Sequence, residues 1–156
     1  MNGNALKTLI LIASFLGIAD AWYLTQSALT DTPLTCTIDG LDGCNIVAQS
    51  VYSHLFGLPL ALYGVVFYAL IFVVAALSFF VFNARIALLL FLLGSAGLAA
   101  SLVFIGIQVV LIQALCVYCI ASAIVALLLF IFSYLLWKRG RVKGEDAPVV
   151  APWDAG

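Results

Sequence analysis

Charge is what this chain has least of. Only 8% of its 156 residues are Asp, Glu, Lys or Arg, against about 25% in an ordinary soluble domain. No lysine or arginine falls between Lys7 and Arg85, and from Ile86 to Trp137 there is neither a charge nor a proline. A net charge of -1 leaves no broad basic surface, so nucleic acid is not an expected partner. Histidine is present once, which removes the usual general base from most of the chain. What remains is apolar: 66% of the residues are hydrophobic, with a mean hydropathy of +1.26. That is too apolar for a water-soluble core and defines an integral membrane protein in a lipid bilayer.

About 20 apolar residues cross a bilayer as a helix. Four such spans are expected, at about 6–27, 58–82, 86–111 and 116–137. The last two come from one uninterrupted apolar stretch, with a short interfacial turn near Gln113, because irregular backbone is not tolerated in lipid. The fold class is therefore all-α, a four-transmembrane-helix bundle. Residues 1–143 form the membrane domain, and 144–156 form a polar tail without expected order. Ala19-Asp20-Ala21 also fits a small-x-small cleavage site, but the apolar pattern continues through Trp22, Tyr23 and Leu24, favouring a retained helix.

All six basic residues, Lys7, Arg85, Lys138, Arg139, Arg141 and Lys143, fall on one side of a four-span chain. The positive-inside rule makes that side cytoplasmic, with both termini, in a cell (inner) membrane. The opposite side carries Asp31, Asp39, Asp42 and His54 without a Lys or Arg. Every cysteine falls there too, where disulfides persist.

The four cysteines form two pairs. Cys116-Val-Tyr-Cys119 opens the fourth span, and one helical turn puts its sulfurs within bridging reach on one face. The partial positive charge of a helix N-terminus favours a thiolate there. Cys36 and Cys44 flank Thr-Ile-Asp-Gly-Leu-Asp-Gly, a turn-prone segment. Asp42 is placed to cap a short helix from Cys44, and Val47, Val51 and Leu55 recur at four-residue spacing, so a half-helix is expected on the membrane surface. Three readings of the cysteines remain: cycling dithiols, structural staples, or a zinc site. A CxxC closes almost no loop and is a poor staple. Zinc is disfavoured where thiols oxidise, so no metal is expected.

Further residues carry a resemblance. The loop pair after the first helix, Ser50 six residues past Cys44, Phe56-Gly57-Leu58-Pro59, Gly64 with Phe67-Tyr68, and Cys116-Val-Tyr-Cys119 together resemble the vitamin K epoxide reductase family, in its bacterial and archaeal branch serving disulfide-bond formation. The likeness spans nearly the whole chain. It implies a four-helix bundle around a quinone (ubiquinone, menaquinone or a related naphthoquinone), with the loop half-helix over the pocket. It implies a thiol:quinone oxidoreductase with Cys36, Cys44, Cys116 and Cys119 as catalytic residues. Many bacterial members carry a fused thioredoxin-like domain; here a separate DsbA-like thioredoxin-fold protein is expected instead. The relay runs from the partner to Cys36, from Cys44 to Cys116, and from Cys119 to quinone. The pocket is expected to use Ser50, Phe56, Leu60, Tyr63, Phe67 and Ala123. In epoxide-reducing members the positions of Leu60 and Ala123, or Ser122 if the match shifts by one residue, carry substrate-binding Asn and Tyr, so quinone is the expected substrate. Reduction of vitamin K epoxide itself, and a non-enzymatic scaffold, are the alternatives.

Three polar residues stand apart. Asp20, inside the first span, is a candidate proton relay or an ordinary interhelical hydrogen-bonding group. Ser50 either bonds a quinone oxygen or caps the half-helix, and His54 reads as an exposed loop residue. Gly94, Gly97, Ala100 and Ser101 offer a small-residue face for helix packing.

Overall fold

The computed structural model describes residues 2–36, 43–81 and 83–145. The proposed Asp42 cap, Asp39, the turn-prone segment between the loop cysteines and the tail from residue 146 lie outside the described residues. Among the described residues four helices are long and apolar enough to cross a membrane: α1 (Gly3–Thr30), α3 (Leu60–Phe80), α4 (Ala84–Ile107, prolonged to Ile112 by a π-helical turn) and α5 (Val117–Glu145). Between α1 and α3 lie a short helix α2 (Cys44–Ala48), a 3₁₀ turn (Val51–Ser53) and a two-stranded hairpin, β1 (His54–Leu55) with β2 (Leu58–Pro59). The chain is an all-α, multi-pass bundle.

Each long helix turns one narrow stripe inward. On α1 this is Leu6, Ile10, Ala13, Gly17, Ala21 and Thr25, at steps of three or four residues, while Ile12, Phe15, Leu16 and Trp22 point out. Large apolar side chains on the outside are what lipid requires, and small ones inside allow close approach. A Cβ on Gly17 would lie 2.6 Å from the Tyr68 ring, and one on Gly94 would lie 3.1 Å from the Phe130 backbone. The expected small face on α4 divides its work. Gly94 packs on α5 and Gly97 receives the Phe67 ring, whereas Ala100 and Ser101 line a cavity. Helix α1 packs on both α3 and α5, and α5 packs on α4.

The bundle has two chemically different ends. At one end Lys7 Nζ donates to the Ser78 carbonyl at 2.7 Å, and Arg141 lies over the Trp137 ring, which stacks on Phe91. All the cysteines lie at the other end. Helix α1 stops there at Asp31, in the left-handed conformation with φ 49°. The π turn stops at Gln113 with φ 56°, so the turn falls where the sequence placed it.

One element differs from expectation. The surface half-helix covers only Cys44–Ala48. Ser50 is extended (φ -70°, ψ 155°) and its hydroxyl donates to the Val47 carbonyl at 2.7 Å, which closes the helix. Beyond it, Phe56 (φ 52°) and Gly57 (φ 82°) make a two-residue hairpin turn. Positive φ at both central positions matches the twist of short antiparallel strands. The apolar period through Val51 and Leu55 thus belongs to a 3₁₀ turn and a strand rather than to one helix.

Candidate functional site

Cys36 and Cys44 form a disulfide, with their Cα atoms 6.4 Å apart. The two sulfurs are not equivalent. Cys44 is fully buried, whereas Cys36 is half-buried near exposed Thr35. The segment is clamped from both sides. The Asn45 carboxamide accepts from the Leu34 amide at 2.8 Å and donates to the Leu34 carbonyl at 3.1 Å. The Tyr118 hydroxyl donates to the Thr35 carbonyl at 2.9 Å, and its ring packs 5.1 Å from that of Tyr23. Tyr118, inside the CxxC, therefore holds the segment that leads to Cys36.

The second pair, Cys116 and Cys119, is in the dithiol form. The Gly43 amide donates to the Leu115 carbonyl at 3.1 Å, which sets the residues before Cys44 and before Cys116 side by side. Leu34, Cys44 and Cys116 share one buried cluster, with Cys36 and Cys119 packed against it. The Cys116 thiol is pulled down to about 7 by the hydrogen bond from the Cys119 thiol, assisted by the Cys119 and Tyr118 amides and opposed by burial. Those amides are the free donors of a helix start, which is the effect expected of a CxxC at that position.

The pair opens on a cavity of ≈ 530 Å³ bounded by α1, α3, α4, α5 and the α2 cap. That lies inside the range of about 300–1,000 Å³ typical of small-molecule sites. Its walls are mainly apolar, and its polar groups are few. Asp20 lies on the wall with Oδ2 buried and without a hydrogen-bond partner. The Tyr68 hydroxyl pairs with Ser122 Oγ at 2.8 Å. Gln108 Oε1 accepts from the Cys116 amide at 3.2 Å.

Of the residues singled out from the sequence, Asp20, Cys44, Ser50, Leu60, Tyr63, Phe67, Cys116 and Cys119 line this cavity. Phe56 and Ala123 do not. Phe56 occupies the hairpin turn and is 93% exposed. The cavity is met at this level by Ser122, one residue before Ala123. Ser50 spends its hydroxyl hydrogen on Val47 and can offer a ligand only acceptor capacity. His54 is exposed, with Nδ1 2.9 Å from Ser53 Oγ. Gln108 and Asn45 were not picked out in advance, whereas Tyr68 belongs to the motif that carries the resemblance and Ser122 is the one-residue alternative to Ala123. The one signal for Gln108 was an amide within a long apolar run. Among the described residues no three His, Cys, Asp or Glu side chains gather as metal ligands.

A membrane bundle with a disulfide, a dithiol packed against it and an apolar chamber behind defines a thiol–disulfide redox protein. Residues 8–134 match the vitamin K epoxide reductase family, and the chain belongs to that family. Its members are oxidoreductases. No curated protein sequence gives a significant match.

Proposed function

We propose that this protein is a membrane thiol:quinone oxidoreductase that reoxidises an extracytoplasmic thioredoxin-fold protein of the DsbA-like kind and reduces a membrane quinone. One observation carries the reading. The buried sulfur of the loop disulfide, Cys44, packs with Cys116, and the CxxC opens on an apolar cavity of ligand size. A structural staple needs no second thiol pair against it. The one-sided distribution of basic residues supports placing the cysteine end outside the cytoplasm.

The cycle balances as successive exchanges. A partner thiolate attacks Cys36, the more accessible sulfur; the Cys36–Cys44 bond breaks and Cys44 leaves as thiolate. The partner's second thiol displaces Cys36 and the partner departs oxidised. Cys44 attacks Cys116 of an oxidised CxxC, releasing Cys119. Cys36 then closes on Cys44 and frees Cys116. The Cys116/Cys119 dithiol gives two electrons and two protons to the quinone, yielding hydroquinone and the CxxC disulfide. The observed combination, loop disulfide with CxxC dithiol, corresponds to the point just before quinone reduction. In the dithiol the charge settles on Cys116. Cys119 becomes the free thiolate facing the chamber only while Cys116 is bridged to Cys44. Asp20, unpartnered on the wall of the cavity that Cys116 and Cys119 also line, is the proton carrier of this scheme.

The test is Cys119→Ala. Without the second thiol the CxxC cannot form its disulfide, so quinone reduction stops, and oxidation of the variant traps a Cys44–Cys116 bridge visible by non-reducing peptide mapping. Activity retained with no such bridge refutes the relay.

A further inference from the structure

One side chain ties the segment leading to Cys36 to the helix that begins at Cys44. Asn45 follows Cys44 directly, and Leu34 lies two residues before Cys36. The Asn45 carboxamide spends both of its ends on Leu34, accepting from the amide at 2.8 Å and donating to the carbonyl at 3.1 Å. This reproduces with a side chain the two N–H···O bonds that a hydrogen-bonded pair exchanges in antiparallel strands, so it fixes orientation as well as distance. The clamp from residue 34 to residue 45 encloses the disulfide from 36 to 44. Its far side is firm, because Leu34 is buried in one cluster with Cys44 and Cys116. A second anchor on the same segment, the bond from the Tyr118 hydroxyl to the Thr35 carbonyl, comes from the CxxC helix.

Neither anchor contains sulfur, so neither is broken when the Cys36–Cys44 bond opens. Only Asn45 is joined to Cys44 in the chain, and its clamp travels with that residue. We propose that Asn45 is the positioning residue of the loop pair, whose side chain keeps Cys36 docked beside Cys44 while the disulfide is open. The clamp and the disulfide join the same two segments, so each holds the other in place, and by linkage the coupling is equal in both directions. The clamp therefore raises the effective concentration of one thiol at the other and favours the disulfide over the dithiol. In the relay, Cys36 stays within reach of Cys44 after the partner has left, and the Cys44–Cys116 bridge is resolved inside the protein. The proposal rests on the reading above only in taking the pair to cycle.

The experiment needs neither quinone nor partner. Full-length protein in detergent is equilibrated in dithiothreitol redox buffers, in which the reagent closes to its cyclic disulfide as the Cys36–Cys44 disulfide opens to two thiols. Samples are acid-quenched and alkylated, and each pair is read separately by peptide mapping. Asn45→Leu and Asn45→Ala are compared with wild type. Leu keeps the volume of the side chain, Ala favours the helix, and neither can bond Leu34. Both variants should shift the Cys36–Cys44 equilibrium toward the dithiol by roughly three- to thirtyfold, within the range of two net hydrogen bonds; tenfold is about 30 mV for a two-electron couple. The Cys116–Cys119 equilibrium should stay in place. Asn45→Leu within about threefold of wild type, a shift toward the disulfide, or an equal shift in both pairs overturns the assignment, since the first points to packing, the second to a clamp that opposes the bond and the third to general loosening. Failure of the wild-type protein to reduce quinone removes the proposed function but leaves this shift intact, so the two failures are distinguishable.

Discussion

Gly43→Ala tests the junction between the two thiol pairs. The backbone at Gly43 (φ -72°, ψ 11°) is open to alanine, so the substitution adds a methyl without torsional strain. The difficulty is space. The new Cβ would sit 2.7 Å from Ala114 Cβ and 3.0 Å from both the amide nitrogen and the carbonyl oxygen of Leu115. Carbon atoms rest at about 3.5–4.0 Å, so the segments must part by roughly 1 Å. Neither side yields easily. Leu115 is held by the Gly43 amide itself and Ala114 by the Gln108 carbonyl, and the obstacle is largely backbone. Overpacking of this kind costs about 1–3 kcal/mol. Its larger effect is kinetic, because a misplacement of about 1 Å can slow a positioned reaction on the order of 10²-fold. The assay is transfer from a reduced Cys36/Cys44 pair to an oxidised Cys116–Cys119 pair, followed by rapid quench, alkylation and peptide mapping. Gly106→Ala is the control, since a Cβ there meets nothing within 4 Å. Transfer in Gly43→Ala within about threefold of that control refutes the claim that direct Cys44–Cys116 contact carries the electrons.

Three further outcomes follow from the same geometry. Cys44→Ser removes the internal resolving thiol and should accumulate a mixed disulfide between Cys36 and a thioredoxin-fold protein; capture on Cys116 instead would reverse the relay order. In the reduced protein, a thiol held down to about 7 by its Cys119 neighbour is mostly thiolate above that pH and mostly protonated below it. Alkylation of Cys116 by a small reagent should therefore rise to half its plateau near pH 7, and a midpoint near 9 contradicts the hydrogen bond. Asp20→Asn keeps shape but cannot carry a proton, so quinone reduction should slow on the order of 10²-fold while Cys44–Cys116 exchange continues; loss of both steps would make Asp20 a structural residue.

The helices were legible because lipid imposes a length and a composition on a span. The turn near Gln113 was legible because an apolar run that long must fold back. The small elements over the cavity were not. Val47, Val51 and Leu55 imitate a helical period, but Ser50 turns its hydroxyl back on Val47 and Phe56-Gly57 adopt a hairpin turn. Phe56 reads as an aromatic pocket residue, yet that turn carries it into the open. The family resemblance placed Ala123 at the pocket with Ser122 as the one-residue alternative, and the helix phase presents Ser122, whose hydroxyl pairs with Tyr68. The cavity therefore does contain hydroxyl groups, which Leu60 and Ala123 alone would not supply. Gln108 disappears in any hydropathy average. Its Oε1 accepts from the Cys116 amide, eight residues further on, across the π turn.

The central claim is that electrons leave the CxxC for a quinone. The most direct measurement uses purified protein with a dithiol reductant, offered a short-chain quinone and vitamin K epoxide in parallel, with product and thiol state quantified together. The account predicts one hydroquinone for each CxxC disulfide formed, lost in Cys116→Ala and in Cys119→Ala, with the epoxide turned over far more slowly. A CxxC that oxidises without hydroquinone appearing, or epoxide turnover as fast as quinone turnover, contradicts it.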